Sequence, residues 1–179
     1  MMMPMHTKAP TFPVPDSVGQ LVAGARQRLK QAVHLGMAPH DLTPQQYWMI
    51  LVIVEQGPMS LHRLAQRIFV DDPTASRLVK TLVDRGIFHA GADPAHGRRL
   101  VISLGPQGVA LQEPVMAFTR ELRAGILEGL SPEEQLQAVH LLGRILLNLD
   151  RTAQHFRDAA STFRQHRVIA DSDGEQEIS

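Results

Sequence analysis

Apolar residues recur at helical spacing from Asp16 onward, at Val18, Leu21, Val22, Ala25, Leu29, Ala32 and Val33, up to Gly36, with Pro39 beyond as a stop. Thr43-Pro44-Gln45-Gln46 then supplies an N-cap, a proline at the first helical position and a Gln at the third. A Gln there can reach back to the capping residue's N–H, so a second helix is predicted from Pro44 to Gln56, ending at Gly57-Pro58. Ser60 is the next N-cap, and Leu61, Leu64, Ala65 and Ile68 form the stripe of a short third helix. Asp71-Asp72-Pro73 opens a fourth, with Ala75, Leu78, Val79, Leu82 and Val83 inward and Gly86 at its end. After Gly86 the period changes from 3.6 to 2. Ile87-Phe88-His89 reads as a strand, Asp93-Pro94-Ala95-His96-Gly97 as a turn, and Leu100, Ile102 and Leu104 as the alternating face of a second strand, together a β-hairpin. Gly105-Pro106 opens a helix of about two dozen residues in which Pro114, lacking an N–H for Ala110, predicts a kink. Ser131-Pro132-Glu133-Glu134 repeats the capping signature before a last helix carrying Leu136, Val139, Leu142, Ile145, Leu146 and Leu149 and continuing toward Phe156 and Phe163.

The fold class predicted is mainly α with a small β-hairpin wing. Residues 1–15 form a flexible arm, 16–42 hold the first helix, 43–104 the short helices and the hairpin, 105–168 the C-terminal helices and 169–179 an acidic disordered tail. That tail holds Asp171, Asp173, Glu175 and Glu177 without Lys or Arg. Pro4, Pro10, Pro13 and Pro15 break any signal-peptide core in the arm, and the longest apolar run, Met49–Val54, is far short of a membrane span. The expected location is the cytoplasm.

Composition narrows the chemistry. The 179 residues contain no cysteine, which excludes disulfides, thiolate metal sites and thiol nucleophiles. Nine histidines are present, but His155 and His166, eleven apart, have no HExxH motif or i,i+4 partner, so no metal and no cofactor is expected. No nucleophile–base pair, phosphate loop or paired carboxylates indicates an enzyme. Eighteen basic residues balance eighteen acidic ones, so an anionic partner must be met by a local patch. An aromatic share of 4% speaks against single-strand stacking platforms and leaves a duplex reader open.

Such a patch is available. Residues 60–104 carry seven Lys or Arg against four Asp, a net of three positive charges. Two helices separated by a short break and followed by a hairpin with adjacent arginines at its tip make a winged helix-turn-helix. On a helical wheel the buried side of the fourth helix centres between Ala75 and Leu82, leaving Pro73, Arg77, Lys80, Thr81 and Asp84 opposite and Thr74 and Ser76 flanking. The N-terminal residues of a recognition helix reach base edges, so Thr74, Ser76 and Arg77 are base-reading candidates, and Arg77 can fork onto a guanine. Pro73 shares that helix start, Ser60 caps the preceding helix, and Lys80 suits a phosphate. Arg98 and Arg99 suit a narrow minor groove, with Asp93 available to brace one. An Arg pair in a polar turn, taken alone, is ordinary solvated surface. The order helix, break, helix, hairpin raises DNA binding above that.

The runs LTPQQYWMI, LHRLAQRIFVDDPTASRLVKTLVDRGIF and DPAHGRRLVISLGPQG resemble the MarR family of bacterial transcription regulators over residues 16–155. PTASRLVKTLVDRG and the DPxxGRR wing are the most specific parts. The resemblance implies a winged helix-turn-helix DNA-binding lobe, residues 43–104, on a helical dimerisation platform, with 16–42 as a dimerisation helix and 105–168 as C-terminal dimerisation helices: an obligate homodimer whose terminal helices interlace and whose two lobes read a pseudo-palindromic operator in double-stranded DNA, most commonly as a repressor. By position, Ser76 and Arg77 match recognition-helix contacts, and Arg98 or Arg99 the wing arginine. Two departures stand out: His96 where an acidic residue is common, and Gly105 where a Thr usually caps the next helix. Independently, broad apolar stripes on the terminal helices exceed what one small lobe can cover, which calls for a second copy.

The resemblance further implies a small aromatic effector, a phenol or carboxylate, between platform and lobe, in a neighbourhood containing His34, His40, Tyr47, Trp48, Met49 and Val109. Trp48 falls off the stripe formed by Tyr47, Ile50, Leu51 and Val54, and either lines a cleft or packs at a seam. His34 and His40 could bind a carboxylate, although histidines at helix ends are commonly solvated. The alternative function is a protein-interaction module that uses the winged scaffold without sequence-specific DNA binding.

Overall fold

The computed structural model describes residues 17–92 and 100–173, with side chains described as far as residue 160. The elements run α1 (Val18–Met37), a 3-10 turn (Ala38–His40), α2 (Pro44–Gln56), α3 (Leu61–Arg67), α4 (Asp72–Asp84), β1 (Phe88–Ala92), β2 (Leu100–Leu104), α5 (Pro106–Leu127) and α6 (Pro132–Asp173). The fold is mainly helical with one antiparallel hairpin, as the periodicity predicts. Each helix start is fixed by its cap. Thr43 and Gln46 form the reciprocal capping box at 3.3 and 2.9 Å. Ser60 accepts from the Arg63 N–H, and Ser131 and Glu134 close a second box. The cap of α1 is Ser17, whose hydroxyl oxygen accepts from the Gln20 N–H at 3.3 Å.

The chain divides into two compact units after Gly125. In the first, a single core joins Val33 and Met37 of α1, Tyr47, Met49, Ile50, Leu51 and Ile53 of α2, Leu64 and Ala65 of α3, Ala75, Val79 and Leu82 of α4, and Ile87, Phe88, Ile102 and Val115. The stripe expected on α2 is too narrow: Met49 and Ile53 are buried as well, because α1, α3, α4 and β2 all pack against this helix. The hairpin pairs Phe88 with Leu104 and Ala92 with Leu100. Met59 adds a bridge to Ile102, with N–H to carbonyl bonds of 3.1 and 2.8 Å, which its position between Pro58 and Ser60 did not signal.

The start of α5 is sewn to the end of α4. Gly86 turns the chain with φ of +67°, its carbonyl accepts from the Gln107 N–H, and the Gly105 N–H donates to Ile87. A Cβ on Gly108 would lie 2.1 Å from the Ile87 carbonyl oxygen, so this close approach requires glycine. Further along, the Thr119 hydroxyl donates to the Val115 carbonyl at 2.7 Å, which leaves Tyr47 to donate to Thr119 at 2.9 Å. Burial pushes the Tyr47 phenol above its usual range. The helix runs through Pro114 as one element.

The second unit is formed by the end of α5 and by α6, a single helix of 42 residues. It continues to Asp173, so residues 169–173 are helical rather than part of a disordered tail. Between Arg144 and Asp173 no proline or glycine interrupts it, and Gly174 follows at once. Residues 1–16 and 174–179, which hold the expected arm and the end of the tail, lie outside the described residues.

Candidate functional site

The two sides of α4 differ sharply. Ala75, Val79 and Leu82 are buried, while Pro73, Ser76, Arg77 and Lys80 are exposed and Thr74 is half-buried. Asp71 caps the helix, its carboxylate accepting from the Thr74 N–H at 2.8 Å. The Thr74 hydroxyl and N–H, with Arg77 nearby, hold the Asp71 carboxyl below the usual carboxylate range. That hydroxyl also accepts from an Arg77 guanidinium N–H at 3.2 Å, and Thr81 donates back to the Arg77 carbonyl at 3.1 Å. The first two turns thus present a braced arginine, a free Ser76 hydroxyl and a lysine one turn on, with the N–H groups of a helix start beside them. Polar donors fixed on a convex helical face suit an anionic or hydrogen-bonding groove.

Ser60 is exposed on the start of α3, where its oxygen caps the Arg63 N–H and its own proton remains free to donate. Arg63 and Arg67 are exposed on the same helix. Arg85 belongs elsewhere. Its guanidinium donates to the Asp41 carbonyl at 2.8 Å and lies 3.5 Å from the Asp41 carboxylate, tying the end of α4 to the 3-10 turn. Arg98 and Arg99, with Asp93 and His96, lie outside the described residues. The strands that lead into that turn are in place.

The residues expected around an effector are dispersed. Tyr47 and Met49 are fully buried in the core. Trp48 is half-buried and meets the Tyr47 ring edge-to-face at 4.8 Å, while His34 and Val109 are exposed. His40 lines a cleft of about 270 Å³ together with Arg85, Ile87, Gln107, Ala110 and Leu111. Arg85 and Gln107 gave no sequence signal for this, since their meeting depends on the close approach at Gly108.

No helix among the described residues is long and apolar enough to cross a membrane, and no group of three or more His, Asp or Glu there could hold a metal.

Residues 40–99 match the MarR family model. The transcriptional repressor NicR of Pseudomonas putida is 24% identical over 135 residues, 75% of this chain and 85% of that protein. BpsR of Bordetella bronchiseptica, whose DNA binding is regulated by 6-hydroxynicotinic acid, is 26% identical with a TM-score of 0.63, covering 75% of this chain and 96% of that one. A probable transcriptional regulator from Pseudomonas aeruginosa is 34% identical with a TM-score of 0.60, covering 73% of this chain and 97% of that one. From the winged lobe, the polar face of α4 and these likenesses together, the chain belongs to the MarR family of transcription regulators.

Proposed function

We propose that this protein is a homodimeric repressor that binds a pseudo-palindromic operator in double-stranded DNA and is released by a small aromatic phenol or carboxylate. The observation that carries the reading is the start of α4, where Pro73, Ser76, Arg77 and Lys80 are exposed opposite a buried Ala75–Val79–Leu82 face and Thr74 braces Arg77. In this reading Thr74, Ser76 and Arg77 meet base edges, Pro73 sets the entry of the helix, and Ser60 and Lys80 meet phosphates. Arg98 and Arg99 enter the minor groove. Ligand control is supported by BpsR, whose DNA binding responds to 6-hydroxynicotinic acid. The pocket proposed for the effector is the neighbourhood of His34, His40, Tyr47, Trp48 and Met49, of which His40 already borders an open cleft.

The test is a band shift on a promoter fragment from the protein's own genomic neighbourhood, against a scrambled duplex. An Arg–guanine pair carries about 1–3 kcal/mol, so Arg77→Ala is expected to weaken operator binding by roughly 5- to 150-fold, with the sedimentation of the protein unchanged. Wild-type affinity is expected to fall by about 10³–10⁵ between 50 and 200 mM salt if six to ten phosphates are engaged. Adding aromatic carboxylates one at a time is expected to release the fragment with one of them. A flat salt response with no preference for the promoter would instead favour a protein-interaction module.

A further inference from the structure

The cleft of about 270 Å³ beside the end of α4 is lined by His40, Arg85, Ile87, Gln107, Ala110 and Leu111. Its two sides are built differently. The side made by the α4–α5 junction is pinned by backbone: the Gly86 carbonyl accepts from the Gln107 N–H, the Gly105 N–H donates to the Ile87 carbonyl, and Gly108 leaves no room for a Cβ against Ile87. The opposite side is the 3-10 turn, which a side chain ties to α4. Arg85, the residue that ends α4, donates to the Asp41 carbonyl at 2.8 Å and to the His40 carbonyl at 3.5 Å. The Asp41 carboxylate stands 3.5 Å from the same guanidinium but is 97% exposed, so water competes for it and the ion pair is loose. The six lining residues join apolar surface, from Ile87, Ala110 and Leu111, to donors from Arg85, Gln107 and His40, and none of them is acidic. A guanidinium offers five N–H groups in a fork that fits a carboxylate with two parallel bonds. A neutral phenol has no second oxygen for that fork. The volume lies just below the roughly 300–1,000 Å³ of clefts that bury drug-sized ligands, so a single ring or a short chain fits it.

We propose that this cleft binds a small monocarboxylate with a compact apolar body, and that the acid replaces Asp41 on the Arg85 guanidinium. The inference deepens the ligand-release reading above and rests on it for any effect on DNA; it selects carboxylates over phenols and gives recognition to Arg85 and Gln107. The carboxylate takes the guanidinium fork, and the apolar body lies against Ile87, Ala110 and Leu111. The Gln107 amide and the His40 ring border the bound group and supply further donors. Arg85 closes α4, and the 3-10 turn carrying His40 follows α1 directly. An exchange of partners at Arg85 therefore loosens the end of α4 from the connection between α1 and α2, while the buried Leu42 keeps that connection on the core. A ligand shifts an equilibrium only through unequal affinity for its two states. Here the inequality is the Arg85–Asp41 pair, which the ligand-free protein keeps and the acid displaces.

The experiment is isothermal titration calorimetry of the full-length protein with benzoate, phenylacetate and cyclohexanecarboxylate, each beside its neutral amide, with circular dichroism as the check on folding. At least one acid is expected to bind wild type about tenfold or more tightly than its amide, and in Arg85→Gln that preference is expected to shrink to within about twofold. Asp41→Asn removes the internal carboxylate but keeps a residue that accepts the left-handed backbone at this position, φ +52°. It is expected to bind the acid about two- to fivefold more tightly than wild type. The proposal is overturned if no acid binds, if acid and amide bind alike, or if the preference survives in Arg85→Gln; Asp41→Asn binding no tighter than wild type overturns the exchange with Asp41. Should Arg85→Gln prove unfolded, Ala110→Leu decides, since the larger side chain fills the cleft and is expected to weaken the acid about tenfold or more, whereas undiminished binding places the site elsewhere. A band shift on the promoter fragment keeps the two readings apart. Acid binding that requires Arg85 but releases no DNA supports the site and defeats ligand control. Release by an acid that Arg85→Gln binds as wild type does keeps ligand control and overturns this site.

Discussion

Asp71, Thr74 and Arg77 form a short relay in which one threonine serves both a cap and a guanidinium. The Asp71 carboxyl lies below its usual range because its charged form accepts the Thr74 bonds. A carboxyl depressed in the folded state adds stability above the unfolded value of about 3.9, and loses it as the pH falls through the lower folded value. Asp71→Asn keeps an acceptor at the cap but removes the charge that favours a helix N-terminus. Its Tm is therefore expected to lie below wild type at pH 7, with the gap closing as the pH falls below the ordinary carboxylate range. Thermal melts from pH 7 to 2.5 check this, and a gap that stays constant would assign the effect to shape rather than charge.

Helix α5 is placed by an absence of side chain. At Gly108 an added Cβ would strike the Ile87 carbonyl oxygen, backbone that cannot rotate away, whereas at Gly125 it would meet nothing within 4 Å. Gly108→Ala is accordingly expected to destabilise by about 1–3 kcal/mol or more, as overpacking does. Gly125→Ala, exposed in the same helix, is expected to stabilise by about 0.5–1 kcal/mol through helix propensity. Chemical denaturation of both variants compares the two signs directly, and a neutral Gly108→Ala would mean the α4–α5 junction is looser than described. The same junction shows what the chain makes legible in advance. The caps at Thr43, Ser60 and Ser131 were readable because capping is local, decided within four residues. So was the exposed side of α4, since the 3.6 period alone sorts Ala75 and Leu82 from Arg77 and Lys80. The Met59–Ile102 bridge, the Arg85–Asp41 tie and the burial of Met49 were not, because each depends on which distant element arrives beside the residue. The Met59–Ile102 and Arg85–Asp41 contacts join residues more than 40 positions apart, and such separations carry no local pattern.

At the scale of the molecule, the unit holding α6 leaves an apolar seam uncovered. Val139, Leu142, Leu146 and Leu149 are spaced three and four apart and are 72, 50, 43 and 52% exposed. Phe156 follows at the next matching position, 65% exposed. A row at this spacing is the pattern that a second helix covers, and in the proposed homodimer a second copy of the chain would supply that helix symmetrically. Two lobes held at about 34–36 Å can then enter successive major grooves, and the second contact gains from the first through effective concentration. Leu142→Lys combined with Leu149→Lys is expected to sediment as a monomer and to lose about 10²-fold or more in affinity for the promoter fragment. The core around α2 should melt as before, because among the described residues it draws on α1 to α5 and the hairpin. A variant that stays dimeric would move the contact to another face, such as the exposed Val18 and Leu21 of α1. A monomer with undiminished affinity would show that one lobe suffices, and the paired reading of the operator would have to be given up.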